Sequence, residues 1–401
     1  MHNLAVALRA QPGAEAPVRP APRLLPLDAL RTFLTLLVVA HHAALAYHPY
    51  APPPSGALGE VPLLWTAFPV VDPLRGPGLD LLVGFNDLFF MALLFLLSGL
   101  FAWPSLERKG ARAFLRDRAR RLLIPFAAAA LLAPLAYYPA FLQRNPGGGV
   151  AEFARQWLHL SVWPAGPAWF LWVLFVLDAL LCLLPWLPRA LARIAGPHAE
   201  RPWRFALALV VLSICVYLPL AHFVSPESWF SAGPFFVQTS RIGHYALYFF
   251  LGAALSRVGT ERGLFGGALE RRWLRFSFAA LGAFAVAVAL FLAALANGIE
   301  APIWQAIAEL GLPLSCAFSS LAALALSLRF AKRGGPLAAL SGNAFGLYLL
   351  HYPFVSWLQY LLLPVGAPGA LKAAAVFVLS SALGLAATAA LRRIPAVRRV
   401  L

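Results

Sequence analysis

Arg31 and His42 stand eleven residues apart in LDALRTFLTLLVVAHHAALAYHPY (27–50), a stretch otherwise apolar enough to lie in a membrane. A helix turns about 100° and rises about 1.5 Å per residue, so eleven steps return both side chains to one face, about 16 Å apart along the axis. Histidine is the side chain best matched to general-base work near neutral pH. Arginine grips carboxylate and phosphate through a forked set of donors. An anionic group held below and a proton moved above is the chemistry such a pair would do. Asp28, one turn before Arg31, is placed to pair with it at i, i+3, and Thr35 continues the polar stripe. His41 is turned about 100° from His42, and His48 falls at the outer mouth. The plainer readings are an arginine that snorkels to headgroups and histidines hydrogen-bonded in a core. Ionisable groups at membrane depth are costly and usually line a cavity or pathway. A tunnel is the better reading.

The elements that must position this stripe are membrane helices. The chain is 61% hydrophobic and 12% charged, about half the charge of an ordinary soluble domain. The net charge of +16 is spread in short clusters between apolar runs, which argues against nucleic acid as a partner. Cys182, Cys215 and Cys316 each sit inside an apolar run, without disulfide or metal-ligand spacing, so no metal is expected. Ten runs of bilayer-crossing length are read near 28–47, 82–103, 121–142, 168–187, 204–222, 242–258, 273–295, 303–328, 337–362 and 370–391. Taking the leading segment and every second connection collects 26 Lys and Arg, against five in the other set (Arg75, Arg144, Arg155, Arg241, Lys372). By the positive-inside rule both termini are cytoplasmic and the span count is even. The expectation is an all-α polytopic membrane protein of about ten transmembrane helices.

Residues 1–26, rich in Ala, Pro and Arg, read as a disordered cytoplasmic tail, 27–393 as one transmembrane domain, and 394–401 as a basic cytoplasmic tail. A cleaved signal peptide ending at Ala44-Leu45-Ala46 is disfavoured, because the apolar span is too long and cleavage would discard the polar stripe. The connection 48–81 is long, Pro- and Trp-containing, and on the outer side; its aromatic content suggests a packed cap. Asn86 and Asp87 open the second helix, as a cap or as a site wall. Arg241 and His244 lie one turn apart and would face an acceptor, an anchor role being as good a reading for Arg241. Asp178 and Glu309 are further buried polar groups.

An Arg, ten intervening residues and a His on the first helix resembles the acyltransferase-3 family of integral membrane acyltransferases. FFMALLFLLSGLF (89–101), FLRDRARRLLIPF (114–126), GPAWFLWVLF (166–175), HYALYFFLGAAL (244–255) and LSGNAFGLYLLHYPF (340–354) resemble later family blocks in the family's order. Ala29 stands where a Gly is common and His41 where an aromatic is usual. The resemblance implies a cytoplasmic acyl-CoA donor substrate, acetyl-CoA or succinyl-CoA, and an acylated sugar or other hydroxyl as product. It assigns His42 and Arg31 to catalysis and the Arg-x-x-Arg of Arg118 and Arg121 to the donor, where a plain positive-inside cluster is the simpler account. His351, about 20 Å into the membrane from the start of its span, matches the depth of His42 and is a supporting candidate with Asp28 and Asp87. Tyr348 lies one turn below it and Asn343 nearer the donor side.

The function read from these features is O-acyl transfer from cytoplasmic acyl-CoA to a hydroxyl of a cell-envelope glycan or other extracytoplasmic acceptor, in a bacterial inner membrane. The aromatic outer connection loosely resembles the branch that modifies periplasmic glucans with succinyl groups. A covalent acyl-histidine route stays open beside direct attack. The alternative is a proton-coupled transporter of a small molecule, in which His and Asp form a relay, although no repeated halves are evident. A non-catalytic scaffold is disfavoured by the stripe.

Overall fold

Leu, Ala and Phe runs that begin at proline or glycine dictate helices here, since proline fits a first turn and nowhere later without loss. The computed structural model describes residues 25–54, 56–60, 63–259, 263–333 and 335–401. Helix α1 (Leu25–Leu45) is followed, after the long connection, by α2 (Leu79–Lys109). Helix α3 (Ala111–Arg118) runs through one π-helical turn, Ala119–Leu123, into α4 (Ile124–Arg144). The short amphipathic α5 (Val150–Leu158) precedes α6 (Trp169–Leu183), α7 (Trp186–Ala199) and α8 (Pro202–Val224). An antiparallel hairpin, β1 (Trp229–Ala232) with β2 (Phe235–Gln238), pairs Trp229 with Gln238 and Ala232 with Phe235. Then come α9 (Ile242–Val258), α10 (Trp273–Ala296), α11 (Pro302–Glu309), α12 (Gly311–Phe330), α13 (Pro336–Leu361), α14 (Gly369–Leu391) and the single-turn α15 (Pro395–Arg398).

Polarity is inverted relative to a water-soluble protein. Leu131, Phe278 and Leu371 are 81%, 66% and 62% exposed, while Asp178, Ser213 and His351 are completely buried. Such a surface belongs in hydrocarbon. The chain is an α-helical polytopic membrane protein. Among the described residues eight helical stretches are long and apolar enough to cross a bilayer. The other two runs read as spans fold as α9 and α13. α9 has only 17 residues, and α13 is diluted by Asn343, His351, Pro353 and Gln359.

Charge gathers at one end of the bundle. Lys109–Asp117 (2.7 Å), Arg257–Glu107 (3.1 Å) and Lys332–Glu270 (2.7 Å) tie helix ends together there, and Ser327 bonds the Pro26 carbonyl at the start of α1. This is the basic end. α2 crosses α9 with backbones in contact: a Cβ on Gly99 would lie 1.9 Å from the Phe249 carbonyl oxygen, and one on Gly252 would lie 2.0 Å from that of Leu96. Close approach through small residues is how membrane helices associate. α1 packs along α13, and α13 along α14 and α4.

Several boundaries differ from the sequence reading. Leu25 and Pro26, read as part of the leading tail, belong to α1; the remainder of that tail, 1–24, lies outside the described residues. α2 begins at Leu79, so Asn86 and Asp87 are two turns inside the helix and cap nothing. The span read at 303–328 is broken between Glu309 and Gly311, beside Pro313, which has no N–H to donate. The basic C-terminal segment carries α15, and its Val397, Val400 and Leu401 fold back against a cavity beside α4. The hairpin had no counterpart in the all-α expectation; Phe126 and Trp172 pack on its Phe235.

The connection after α1 is pinned at three places. Asp72 and Lys372 of α14 form an ion pair at 2.8 Å, with both side chains buried, and the Asp72 N–H donates to the Ala46 carbonyl. The Gln143 amide at the end of α4 pairs with both backbone groups of Val71, at 3.0 and 2.6 Å. Trp65 is buried against Tyr137 and Trp157.

Candidate active site

The packing of α1 on α13 brings His42 and His351 together, with His351 Nε2 3.3 Å from His42 Nδ1. His351 Nδ1 lies 2.7 Å from the Tyr348 carbonyl oxygen, an acceptor, and therefore carries the proton. His351 Nε2 is then an acceptor too. His42 Nδ1 also lies 2.8 Å from the Val38 carbonyl. Both neighbours of His42 Nδ1 accept, so its proton sits there and the lone pair is on Nε2. Holding one ring nitrogen fixes the role of the other. His42 keeps partial exposure, whereas His351 is fully buried.

A third side chain of α13 completes the wall. The Tyr352 ring meets His42 edge-on at 5.2 Å. Behind it, Tyr352 meets Tyr137 of α4 edge-on at 5.6 Å, and Tyr137 meets Trp65 of the connection edge-on at 5.1 Å. The hydroxyls of Tyr137 and Tyr352 both donate to the Thr66 carbonyl, at 3.1 and 3.4 Å. An aromatic path therefore runs from the connection to His42. Gly166 makes room for it: with φ +57°, its place for a Cβ lies 3.0 Å from the Tyr352 ring. Gln359, one further polar group on α13, donates to the carbonyls of His42 and Ala43 (2.8 and 3.2 Å), which a helix end leaves unpaired.

Arg31 does not meet Asp28. Among the described residues the expected i, i+3 pair does not form; the guanidinium lies over the Phe101 ring of α2 at 5.4 Å instead, a cation–π contact open to it because α2 flanks α1. Thr32 and Thr35 bond back to the carbonyls of Asp28 and Arg31 and so leave the polar stripe. Arg31 thus faces α2 and His42 faces α13.

The basic cluster splits in two. Arg118 forms an ion pair at 3.3 Å with Asp178 of α6, a completely buried carboxylate, and its guanidinium caps the Phe114 ring. Arg121 is 59% exposed and pairs with Asp117 one turn earlier. The wide π turn after Arg118 separates these two orientations. Asp87 lies on the other side of α1, in a 2.6 Å ion pair with Arg241 that joins α2 to the start of α9. His41 packs on Phe90 there, turned away from His351. His244 sits beside Cys316 at 3.4 Å in the same region. His48, beyond α1, accepts the Tyr50 N–H, and burial holds its pKa below the ordinary imidazole range against the opposing pull of Asp80. Among the described residues no three His, Cys, Asp or Glu side chains converge to hold a metal ion.

Of the candidates read from sequence, the structure joins His42 to His351, while Arg31, Arg118, Arg121 and Asp87 each make a contact of their own, with Phe101, Asp178, Asp117 and Arg241 respectively. Sequence reasoning passed over Tyr352, Gln359, Tyr137 and Thr66. A signal existed for Gln359, which stands seven residues after Tyr352 and so on its face of the helix.

A helical membrane bundle with a paired-histidine site beside a basic end is the class this geometry defines. A family model described as an acyltransferase domain matches residues 25–393, nearly the whole chain, and the protein belongs to that acyltransferase-3 family. It is a membrane acyltransferase. Comparison with curated proteins and with solved structures gave no match.

Proposed function

We propose that this acyltransferase moves an acyl group from cytoplasmic acyl-CoA to a hydroxyl of a cell-envelope glycan or other extracytoplasmic acceptor, with His42 as general base. The supporting observation is the His42 ring, whose Nδ1 is flanked by two acceptors, leaving Nε2 to take a proton. The acceptor hydroxyl gives its proton to Nε2 as its oxygen attacks the thioester carbonyl. The C–S bond breaks, the ester forms, and the thiolate of coenzyme A recovers the proton from the imidazolium. His351 is a positioning residue that holds the tautomer. Arg31, about 16 Å below on the same helix, and Arg118, oriented by Asp178, hold the phosphates of the donor, with Arg121 at the rim. Acetyl-CoA and succinyl-CoA are the donors that the family resemblance implies.

The reading includes ten spans in a bacterial inner membrane, α9 and α13 among them, with both termini in the cytoplasm and the basic end facing the donor. Residues 27–393 form one catalytic unit, with Asp28 and Asp87 supporting it. Radiolabelled acyl-CoA supplied to the purified protein with envelope extract tests the proposal. Label transferred to an extracted acceptor by wild type, and by neither His42→Ala nor His42→Gln at matched membrane levels, is the expected result. Intact acyl-CoA carried across proteoliposomes would mark a transporter instead.

A further inference from the structure

A cavity of about 390 Å³ lies between α4 and α13, walled by Ala133, Ala136 and Leu132 on one side and by Leu349 and Tyr352 on the other. It begins at Ile124 near the basic end, where Val397, Val400 and Leu401 of the C-terminal segment line it, and it is open along the exposed Ile124 and Leu132. From Ile124 to Tyr137 is thirteen residues of α4, about 20 Å. The far end is Tyr352, whose ring touches that of His42. A space of this length therefore stops one side chain short of the reacting atoms.

Its lining decides what fits. Among the described residues no charged, amide or small hydroxyl side chain lines it; the polar side chains are those of Tyr137, Tyr348 and Tyr352. The Tyr348 hydroxyl is spent on the Pro167 carbonyl, and the hydroxyls of Tyr137 and Tyr352 on Thr66. A succinyl group would bury its carboxylate there without a partner, which is strongly disfavoured. An acetyl group would leave the space empty. An apolar cavity of about 150 Å³ takes benzene, so this one has room, in proportion, for about fifteen carbons.

We infer that the cavity is the acyl-chain subsite, and that the group transferred is a medium-length saturated hydrocarbon chain of about 8 to 14 carbons. The inference rests on the acyl-transfer reading and names its substrate class. With the thioester at His42, the Tyr352 ring turns aside from that of His42 to admit the chain, which then lies down the cavity toward the basic end. Each methylene that enters raises kcat/KM about fourfold, until the cavity is full.

The test is release of coenzyme A thiol from acetyl-, succinyl-, butyryl-, octanoyl-, dodecanoyl- and stearoyl-coenzyme A by the purified protein in lipid nanodiscs, with envelope extract supplying the acceptor hydroxyl. The rate is expected to climb from acetyl to dodecanoyl and to fall at stearoyl. In Ala133→Phe and in the milder Ala136→Leu, the dodecanoyl-to-acetyl ratio should drop at least tenfold; the ratio is insensitive to how much protein folds. A profile that peaks at acetyl or succinyl and is unmoved by either variant overturns the inference, leaves the acyl-transfer reading standing and makes the cavity a crevice for bilayer lipid. No thiol release from any donor would sink both.

Discussion

At His42 the outcome hangs on one proton. If His351 acts by accepting from His42 Nδ1–H, a side chain that still offers an acceptor should do part of its job. His42→Ala is expected to lower turnover by about 10²–10⁴. His351→Leu should lower kcat with KM little changed, and His351→Gln should recover a measurable part of it, read in initial-rate assays; equal rates for the two would show a packing role only. Gly166→Ala puts a methyl 3.0 Å from the Tyr352 ring on a backbone at φ +57°, and should cost roughly 1–3 kcal/mol while displacing the wall of the site. At His48 the sign is simple. A folded-state pKa held below the unfolded value of about 6.5 stabilises the connection above that pH and loses this support as pH falls. His48→Gln should flatten the acid side of a thermal-stability profile. The eleven-residue spacing made His42 legible in the sequence, because helical phase is local arithmetic. It misplaced the Arg31 guanidinium, because an i, i+3 rule counts neighbours on one helix and knows nothing of Phe101 on the next.

Elements meet where side chains vanish or charges pair. Gly252→Leu would drive a side chain into the Leu96 carbonyl and should abolish folded protein in the membrane, whereas Gly282→Leu, with open space around it, should be tolerated; fluorescence-detected gel filtration separates these outcomes. Lys372→Met leaves the Asp72 carboxylate buried without its partner and should cost roughly 3–5 kcal/mol. Asp72→Asn in the same chain should return part of that in a detergent melting assay. The π turn at Ala119–Leu123 is one residue wider than an α turn. Hydropathy foretold the length of this span but carried no trace of the turn, because an inserted residue leaves mean apolarity unchanged. α13 was legible as a span only through its apolar residues; its polar face, which carries His351 and Gln359, is what lowers its apolarity.

For the whole molecule, the alternation of basic connections foretells sidedness that the bundle itself cannot display. In a background with Cys182, Cys215 and Cys316 replaced by Ser, Ser161→Cys should react with an impermeant maleimide added to spheroplasts, and Arg333→Cys only after lysis. The reverse pattern would invert the topology. The architecture was readable from composition because lipid imposes a coarse rule, apolar residues outward for about twenty residues at a time. The cavity and the hairpin were not, since both arise from helices distant in sequence. One small contact has a large reach. The Thr66 carbonyl accepts from Tyr137 and Tyr352 together, so a ligand that lifts the connection must release the tyrosine beside His42. A ligand bound at the connection and one bound at His42 would then share one free-energy term, and by reciprocity each would alter the affinity of the other by the same factor.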